Sequence, residues 1–201
     1  MFHTIVSIKN DGHYFCRAGG NRPDGLNEPV TAEIGRDVES FAAGLRSAVR
    51  RNPDIIGIGE IRDYETADAA VQAGNTGHFC IGTMHTKSPG ETFARLLGLF
   101  PPEIRDSMAA ATLSLVQFIL VQVLVRTNDG GRQAVREYIV ITDELRNTLS
   151  GQSHATWGHY IDEIIRQEKR RIRDQVLTMY QNDRIEKSEA ALFIPAGEFP
   201  R

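Results

Sequence analysis

The chain has 201 residues, a length expected for one domain, or for one domain with an appendage. Hydrophobic residues make up 41%, charged residues make up 24%, and the net charge is −3, which together exclude a disordered tail, a collagen-like chain and a disulfide miniprotein. The negative charge also argues against nucleic acid as a general electrostatic partner. The two cysteines, Cys16 and Cys80, lie far apart in the sequence, which favours a reducing cytoplasm.

The first segment of the chain predicts little regular structure. Glycine and proline recur every few positions through residues 1–31, so at most one short strand is expected there, from Thr4 to Ile8. The N-terminus also lacks the basic and apolar regions of a secretory signal. Residues 108–125 carry no charge, but their polar interruptions indicate a buried helix that runs into a strand rather than a membrane span.

From Arg36 onward, helical and strand-like patterns alternate. Apolar residues at spacings of three and four predict a helix that has Asp37 as its N-cap and ends before Pro53. The apolar run 54–60 predicts a strand buried on both faces. Further helices are predicted at 64–73, 90–100 and 102–116, and further strands at 79–84, 117–126 and 136–141, the last two joined by a hairpin turn at 128–131. Such alternation predicts an α/β sheet with crossover connections.

After Thr142 the composition shifts toward charged residues. Residues 160–183 predict a helical region whose apolar side chains form one stripe: Ile161, Ile164, Ile165, Ile172, Val176 and Met179. A helix with one apolar face has to bury that face. This region is therefore expected to pack on the body of the protein or on a partner.

Glu60 is a candidate functional residue because it directly follows a strand-like apolar run. A carboxylate in that position lies at the carboxyl edge of an α/β sheet, where such sheets bind ligands. Glu60 could there hold the water shell of a metal ion or orient a water molecule that attacks a phosphate. The alternative is that Glu60, Arg62 and Asp63 form only a polar turn that caps the next helix.

Two histidines, His78 and His85, flank the predicted strand 79–84. Their odd separation of seven places the two side chains on opposite faces of a strand, so a shared zinc site is not expected even though Cys80 offers a thiol. A histidine at a strand end is often a hydrogen-bonded structural residue. Each histidine therefore stays open between a structural and a functional role.

The segment GEIRDYETADAAVQAGNTGHFCIGTMHT resembles the Walker B and histidine boxes of the secretion-superfamily traffic ATPases. This group contains the pilus-retraction, type II secretion, and type IV secretion or conjugation motors. The resemblance extends from about Glu33 to Ile141. The segment REYIVITDELRNTL and the charged terminal helices are most similar to the conjugation-type branch of DotB and TraJ.

The resemblance implies a partial RecA-like P-loop NTPase core, containing the C-terminal part of its α/β sheet, with a C-terminal helical appendage. It implies three regions: an irregular N-terminal segment at 1–31, a RecA-like core fragment with the Walker B and histidine boxes at 32–143, and a helical region at 144–201. The implied function is that of the C-terminal part of a hexameric ATP-hydrolysing motor for type IV secretion, conjugative transfer or pilus dynamics.

The resemblance also assigns roles to five residues. Glu60 corresponds to the Walker B acid that acts on magnesium through water, and His85 to the histidine-box residue near the γ-phosphate or the subunit seam. His78 opens the same box. Arg46 and Arg50 correspond to helix arginines that approach the nucleotide, in some motors that of a neighbouring subunit. Their alternative reading is that of solvated charges on a helix surface.

The implied cofactors are ATP and magnesium. The implied partners are five further copies in a homo-hexamer, or the subunits of a full-length motor, together with secretion or pilus machinery of the inner membrane. A cytoplasmic location, with peripheral attachment at the inner membrane, follows. Nothing in the resemblance identifies the cargo as DNA, pilin or an effector protein.

The phosphate-binding loop G-x-x-x-x-G-K-[ST] is missing, because the chain contains no Gly-Lys dipeptide. In the family this loop lies upstream of the matched region, with an N-terminal sensing domain. The family also has an acidic box between the phosphate-binding loop and the matched region. Residues 5–14 hold at most a degenerate copy of this box, with Lys9 and Asn10 in place of acids. We therefore expect the isolated chain not to hydrolyse ATP at a useful rate.

Two alternatives to a motor fragment are open from the residues. One is a non-catalytic RecA-like interaction module that docks on a full-length motor through its subunit seam and the helices of residues 160–201. The other is a zinc-dependent hydrolase that uses His78, Cys80 and His85, which the strand geometry disfavours.

Overall fold

A mixed β-sheet forms the centre of the protein. A computed structural model describes residues 3–8, 35–50, 53 and 55–199. The strands in these residues are β1 (His3–Ile8), β2 (Ile55–Ile58), β3 (Phe79–Met84), β4 (Val116–Arg126) and β5 (Arg132–Val140). Their order is β2-β3-β1-β4-β5, with β2 and β3 parallel and the other neighbouring pairs antiparallel. The predicted α/β sheet is therefore confirmed, with one crossover that joins β2 to its neighbour β3 and a second that joins β3 to the parallel strand β4 on the other side of β1.

Four of the described helices lie between strands in the chain, and four follow the last strand. The described helices are α1 (Phe41–Arg50), α2 (Tyr64–Asn75), α3 (Pro89–Gly98), α4 (Arg105–Leu115), α5 (Asp143–Ser150), α6 (His154–Gln167), α7 (Ile172–Gln181) and α8 (Lys187–Ala190), followed by a 3-10 turn at Ala196–Glu198. The uncharged run 108–125 forms α4 followed directly by β4, as predicted. Within the described ranges, every helix is too short or too polar to cross a bilayer.

The N-terminal strand has a definite place in the sheet. The strand predicted at Thr4 to Ile8 is confirmed as β1, which pairs with β3 on one side and β4 on the other. The remainder of 1–31, together with Lys9 and Asn10 of the suggested acidic box, lies outside the described residues.

Strand β2 differs from its predicted burial. Ile56 and Ile58 are buried, whereas Gly57 between them is exposed. The prediction of a strand buried on both faces is therefore wrong. The reason is that β2 is packed on one face only, so its residues alternate between the core and solvent.

Helix α1 begins later than predicted, because the N-cap is Ser40 rather than Asp37. The hydroxyl oxygen of Ser40 accepts a hydrogen bond from the amide of Ala43 (3.2 Å). Asp37 instead forms an ion pair with its neighbour Arg36 (2.9 Å). Both residue types favour an N-cap, and the local sequence alone does not choose between them.

The C-terminal region 160–183 forms two helices, so its apolar residues do not make one continuous stripe. Helix α6 ends at Gln167, and Lys169 adopts a left-handed backbone conformation (φ 53°) before α7 begins. Ile161 and Ile165 of α6 join a core formed with β2, β3 and helices α2 to α5. The apolar residues of α7 join a second core under the far half of the β4–β5 hairpin: Ile172, Val176 and Met179. The turn lets one apolar pattern cover two separate parts of the sheet.

Candidate functional site

Glu60 lies just beyond the carboxyl end of β2, as its position in the sequence predicts. The next residue, Ile61, is buried, and its amide donates a hydrogen bond to the carbonyl of Thr83 on β3 (2.8 Å). A side chain on Gly82 would overlap Ile61, so the glycine makes room for it. Ile61 thus anchors the segment, while the side chain of Glu60 stays 42% exposed.

His85 lies beside Glu60 because β2 and β3 are parallel neighbours. Ile58 pairs with Gly82, so the residues that follow each strand meet at the same edge of the sheet. The Nε2 atom of His85 is 3.7 Å from Oε1 of Glu60, and both side chains are roughly half exposed. This distance permits an ion pair when the imidazole is protonated and leaves both groups accessible to a ligand.

The backbone around His85 is fixed by helix α3. Nη1 of Arg95 donates a hydrogen bond to the carbonyl of His85 (3.1 Å), and the amide of Lys87 donates one to Oε2 of Glu91 (2.8 Å). Between them, the hydroxyls of Thr86 and Thr92 share a buried hydrogen bond (2.5 Å). The segment that carries His85 therefore takes its position from α3.

Asp63 and Arg62 do not belong to this pair. The Asp63 carboxylate accepts a hydrogen bond from the amide of Thr66 (2.9 Å) and caps helix α2. The hydrogen bonds from Thr66 hold the pKa of Asp63 below its usual value. Arg62 is largely exposed, 3.9 Å from Asp63. The capping alternative therefore holds for Asp63, whereas Glu60 faces His85.

His78 lies at the opposite end of β3 from His85. Seven residues of extended chain separate the two, which corresponds to about 20 Å. His78 is buried, with its Nδ1 atom 3.0 Å from the hydroxyl of Thr76. Its Nε2 atom has no partner among the described residues. The structure thus does not bring His78 to Glu60, and burial raises the pKa of the intervening Cys80 thiol to about 12, which keeps it neutral.

The two arginines lie on α1. Arg50 is exposed and ends the helix five residues before β2 begins. No ion pair joins Arg50 to Glu60 among the described side chains. The backbone of Arg46 is one turn earlier in α1, and its side chain lies outside the described residues.

Sequence reasoning missed one acid in this neighbourhood. Asp162 of α6 accepts hydrogen bonds from the hydroxyl of Ser88 (2.7 Å) and the amide of Gly90 (2.8 Å), at the first turn of α3. No local pattern connects residues more than 70 positions apart. The Ser88-x-x-Glu91 spacing, by contrast, is a visible helix-start signal, and Ser88 is the N-cap of α3.

A family model described as type II/IV secretion system protein matches residues 30–191. The type IV pilus retractation ATPase PilT of Pseudomonas aeruginosa is 38% identical over 117 residues, which cover 58% of this chain and 34% of that protein. The type IV pilus assembly ATPase PilB of Acinetobacter baylyi is 54% identical over 74 residues, which cover 36% of this chain and 12% of that protein. The chain thus spans only a minor part of these relatives.

Solved structures show the same likeness. The ATPase DotB of Legionella pneumophila superposes with a TM-score of 0.74 and 33% identity, covering 80% of this chain and 44% of DotB. The pilus retraction motor PilT with bound ADP superposes with a TM-score of 0.67 and 28% identity, covering 80% of this chain and 45% of PilT. The partial RecA-like fold is therefore confirmed, and the chain belongs to the type II/IV secretion family of traffic ATPases, with its structural likeness on the DotB-like branch.

Proposed function

We propose that this chain is the C-terminal part of an ATP-hydrolysing motor for type IV secretion, conjugative transfer or pilus dynamics, and that Glu60 and His85 face its nucleotide. The observation that carries the proposal is their meeting, 3.7 Å apart, at the carboxyl edge of parallel strands. Ligands of α/β sheets bind at such edges. Family membership and the ADP bound to the related PilT support the same reading.

Glu60 fits the part of a magnesium and water ligand. Its carboxylate is exposed beyond the end of β2 and takes no part in capping α2, so its oxygens remain available to a ligand. Carboxylate oxygens suit magnesium, which keeps part of its water shell in nucleotide sites and would supply positive charge to the phosphates there. Glu60 would hold this ion through water and orient the water that attacks the γ-phosphate.

His85 fits a role beside the γ-phosphate. Its imidazole is half exposed next to Glu60, and its backbone is held by Arg95. A ring nitrogen in this position can donate a hydrogen bond to a phosphate oxygen. His85 would sense whether the γ-phosphate is present, or would pass that signal to the neighbouring subunit.

In a hexamer, the arginines of α1 would contribute positive charge to the nucleotide of a neighbouring subunit. Arg50 is exposed on α1 and forms no ion pair with Glu60 among the described side chains, which fits a role at a neighbouring subunit's nucleotide. We extend this role to Arg46. The resemblance also implies a nucleotide-binding role for His78, but His78 is buried at the opposite end of β3 from Glu60, so we do not include it in the proposed site. The same proposal divides the chain into regions 1–31, 32–143 and 144–201. It places the assembly in the cytoplasm, attached to secretion or pilus machinery at the inner membrane.

The proposal is tested by nucleotide binding to the purified chain. A fluorescent ATP analogue is titrated with and without magnesium against the wild type, Glu60→Ala and His85→Ala. Two matched controls carry the same changes at exposed positions elsewhere, Glu65→Ala on α2 and His159→Ala on α6. We expect submillimolar, magnesium-dependent binding that both site variants lose and both controls keep.

The outcomes separate the motor from the interaction module. Binding that survives Glu60→Ala and His85→Ala would refute the proposed site. A folded wild type that binds no nucleotide, yet associates with a full-length motor, would instead support the docking module.

A further inference from the structure

We propose that Asp162 is a positioning residue that holds His85 in place through helix α3 and so couples the C-terminal helices to the site; its link to nucleotide rests on the function proposed above. Asp162 belongs to α6, in the region after residue 144. Nothing in its surrounding sequence connects it with Glu60 or His85. Its position in the fold makes that connection.

The first step is the contact between α6 and the start of α3. One carboxylate oxygen of Asp162 accepts a hydrogen bond from the Ser88 hydroxyl (2.7 Å), and the other accepts one from the Gly90 amide (2.8 Å). Both donors lie at the first turn of α3, where backbone amides lack partners within the helix. A negative charge there is also stabilised by the helix dipole. Asp162 therefore fixes the end of α3 that is closest in sequence to His85.

The second step leads from α3 to His85. Arg95, Thr92 and Glu91, all on α3, bond in turn to the carbonyl of His85, the hydroxyl of Thr86 and the amide of Lys87. Each of the three residues from His85 to Lys87 is thus tied to the same helix. A displacement of α3 relative to β3 would carry this segment with it.

The third step is the close packing of α3 on α6. A side chain at Gly90 would overlap the backbone of Gly158, so the two helices are in backbone contact. One turn away, the rings of Phe93 and Trp157 meet edge to face with centroids 5.4 Å apart, and both residues are buried. Such packing leaves little freedom for α3 to move independently of α6. The two helices therefore move together, and Asp162 connects them at the start of α3, which is the end closest in sequence to His85.

The test compares three variants of the full chain by NMR without nucleotide. Asp162→Ala removes both acceptors, and Asp162→Asn keeps one carbonyl oxygen. Glu163→Ala is the control, because it removes the same charge one position along α6, where the side chain bonds to Arg166 and Gln167 of its own helix. The readouts are the imidazole resonances of His85 and the carboxyl resonance of Glu60. Asp162→Asn carries the test if Asp162→Ala does not fold.

We expect both resonances to shift in Asp162→Ala, to shift less in Asp162→Asn and to stay in place in Glu163→Ala. Unchanged resonances in a folded Asp162 variant, or equal shifts in Glu163→Ala, would overturn the proposal. A purely structural role would lower the thermal midpoint without moving His85.

A second arm measures affinity for the fluorescent ATP analogue with magnesium. We expect Asp162→Ala to weaken binding by about 5–10-fold, the range of a modest coupling between sites. If His85 shifts but the wild type binds no nucleotide, the positioning role stands and the proposed function fails. If the wild type binds and Asp162→Ala binds equally well, the coupling to the site is refuted.

Discussion

Gly90 and Gly158 bring helices α3 and α6 into backbone contact. A side chain on Gly158 would lie 2.8 Å from the carbonyl oxygen of Gly90, and one on Gly90 would overlap the carbonyl oxygen of Gly158. Backbone oxygens cannot rotate away as a flexible side chain can. The contact is therefore available only to glycine, and it determines how closely the C-terminal helices approach the segment that carries His85.

We expect Gly90→Ala to lower the free energy of unfolding by about 1–3 kcal/mol, because the added methyl group forces the helices apart. Urea unfolding measures this change. Gly98→Ala in the same helix is the control, since a side chain there meets no atom within 4 Å. Alanine should leave stability unchanged or raise it at that position. Equal stability of Gly90→Ala and the wild type would show that the helices do not pack as described.

A second prediction concerns Glu137, which is buried under α7. Its carboxylate accepts a hydrogen bond from the amide of Ile172 (2.8 Å), yet burial raises its pKa from 4.5 to about 7. The nearby carboxylates of Asp162 and Asp174 act in the same direction, and Arg171 acts against them. Below about pH 7 the neutral acid is thus the favoured form of Glu137 in the folded chain.

This raised pKa sets the direction of a pH effect on stability. Between pH 4.5 and about 7 the unfolded chain releases the Glu137 proton while the folded chain keeps it. The contribution of Glu137 to the free energy of unfolding is therefore fully present below pH 4.5. It is lost as the pH rises to about 7, by up to about 3 kcal/mol. Glu137→Gln cannot ionise but can still accept the Ile172 hydrogen bond. Urea unfolding from pH 4 to 8 should show a steeper decline for the wild type than for this variant, and parallel curves would contradict the prediction.

A third prediction concerns Asp63 at the start of α2. Asp63→Ala should cost about 1 kcal/mol at pH 7, as expected for a lost N-cap, whereas Asp63→Asn keeps an acceptor and should cost less. The pKa of Asp63 is lowered by its hydrogen bonds from Thr66, so its contribution is present above the ordinary pKa and lost as the pH falls through the lowered value. Unfolding at pH 7 and pH 3 checks both statements. A loss for Asp63→Ala that is as large at pH 3 as at pH 7 would argue against an ionised cap.

A local pattern predicted the place of Glu60, whereas the role of His85 was implied only by the resemblance; their meeting follows from the way the two strands pair. An apolar run that ends in Glu60, and a second one that ends before His85, predict two strands, and a helix between them makes those strands parallel. Parallel neighbours end at the same edge, so their following residues meet. The hairpin of β4 and β5 was equally visible, although β5 begins at Arg132 rather than at residue 136.

Other features depend on contacts that no local pattern encodes. The apolar stripe of 160–183 follows helical spacing on both sides of Lys169, so the turn there is set by the two separate cores rather than by the stripe. Asp162 is an ordinary acid within its own helix and gains its importance only from Ser88 and Gly90. His78 shares a sequence box with His85, yet the length of β3 places the two at opposite ends. Two residues at opposite ends of a strand are close in sequence but far apart in the structure.

The most direct test of the account is to locate a bound metal–nucleotide relative to these residues. Manganese with a non-hydrolysable ATP analogue, added in substoichiometric amounts to the isotope-labelled chain, broadens the NMR signals of nearby nuclei most strongly. We expect the resonances of Glu60 and His85 to broaden first and far more than those of His78, about 20 Å away along β3. Broadening centred on His78, or spread evenly over the chain, would contradict the assignment of the nucleotide to the edge where β2 and β3 end.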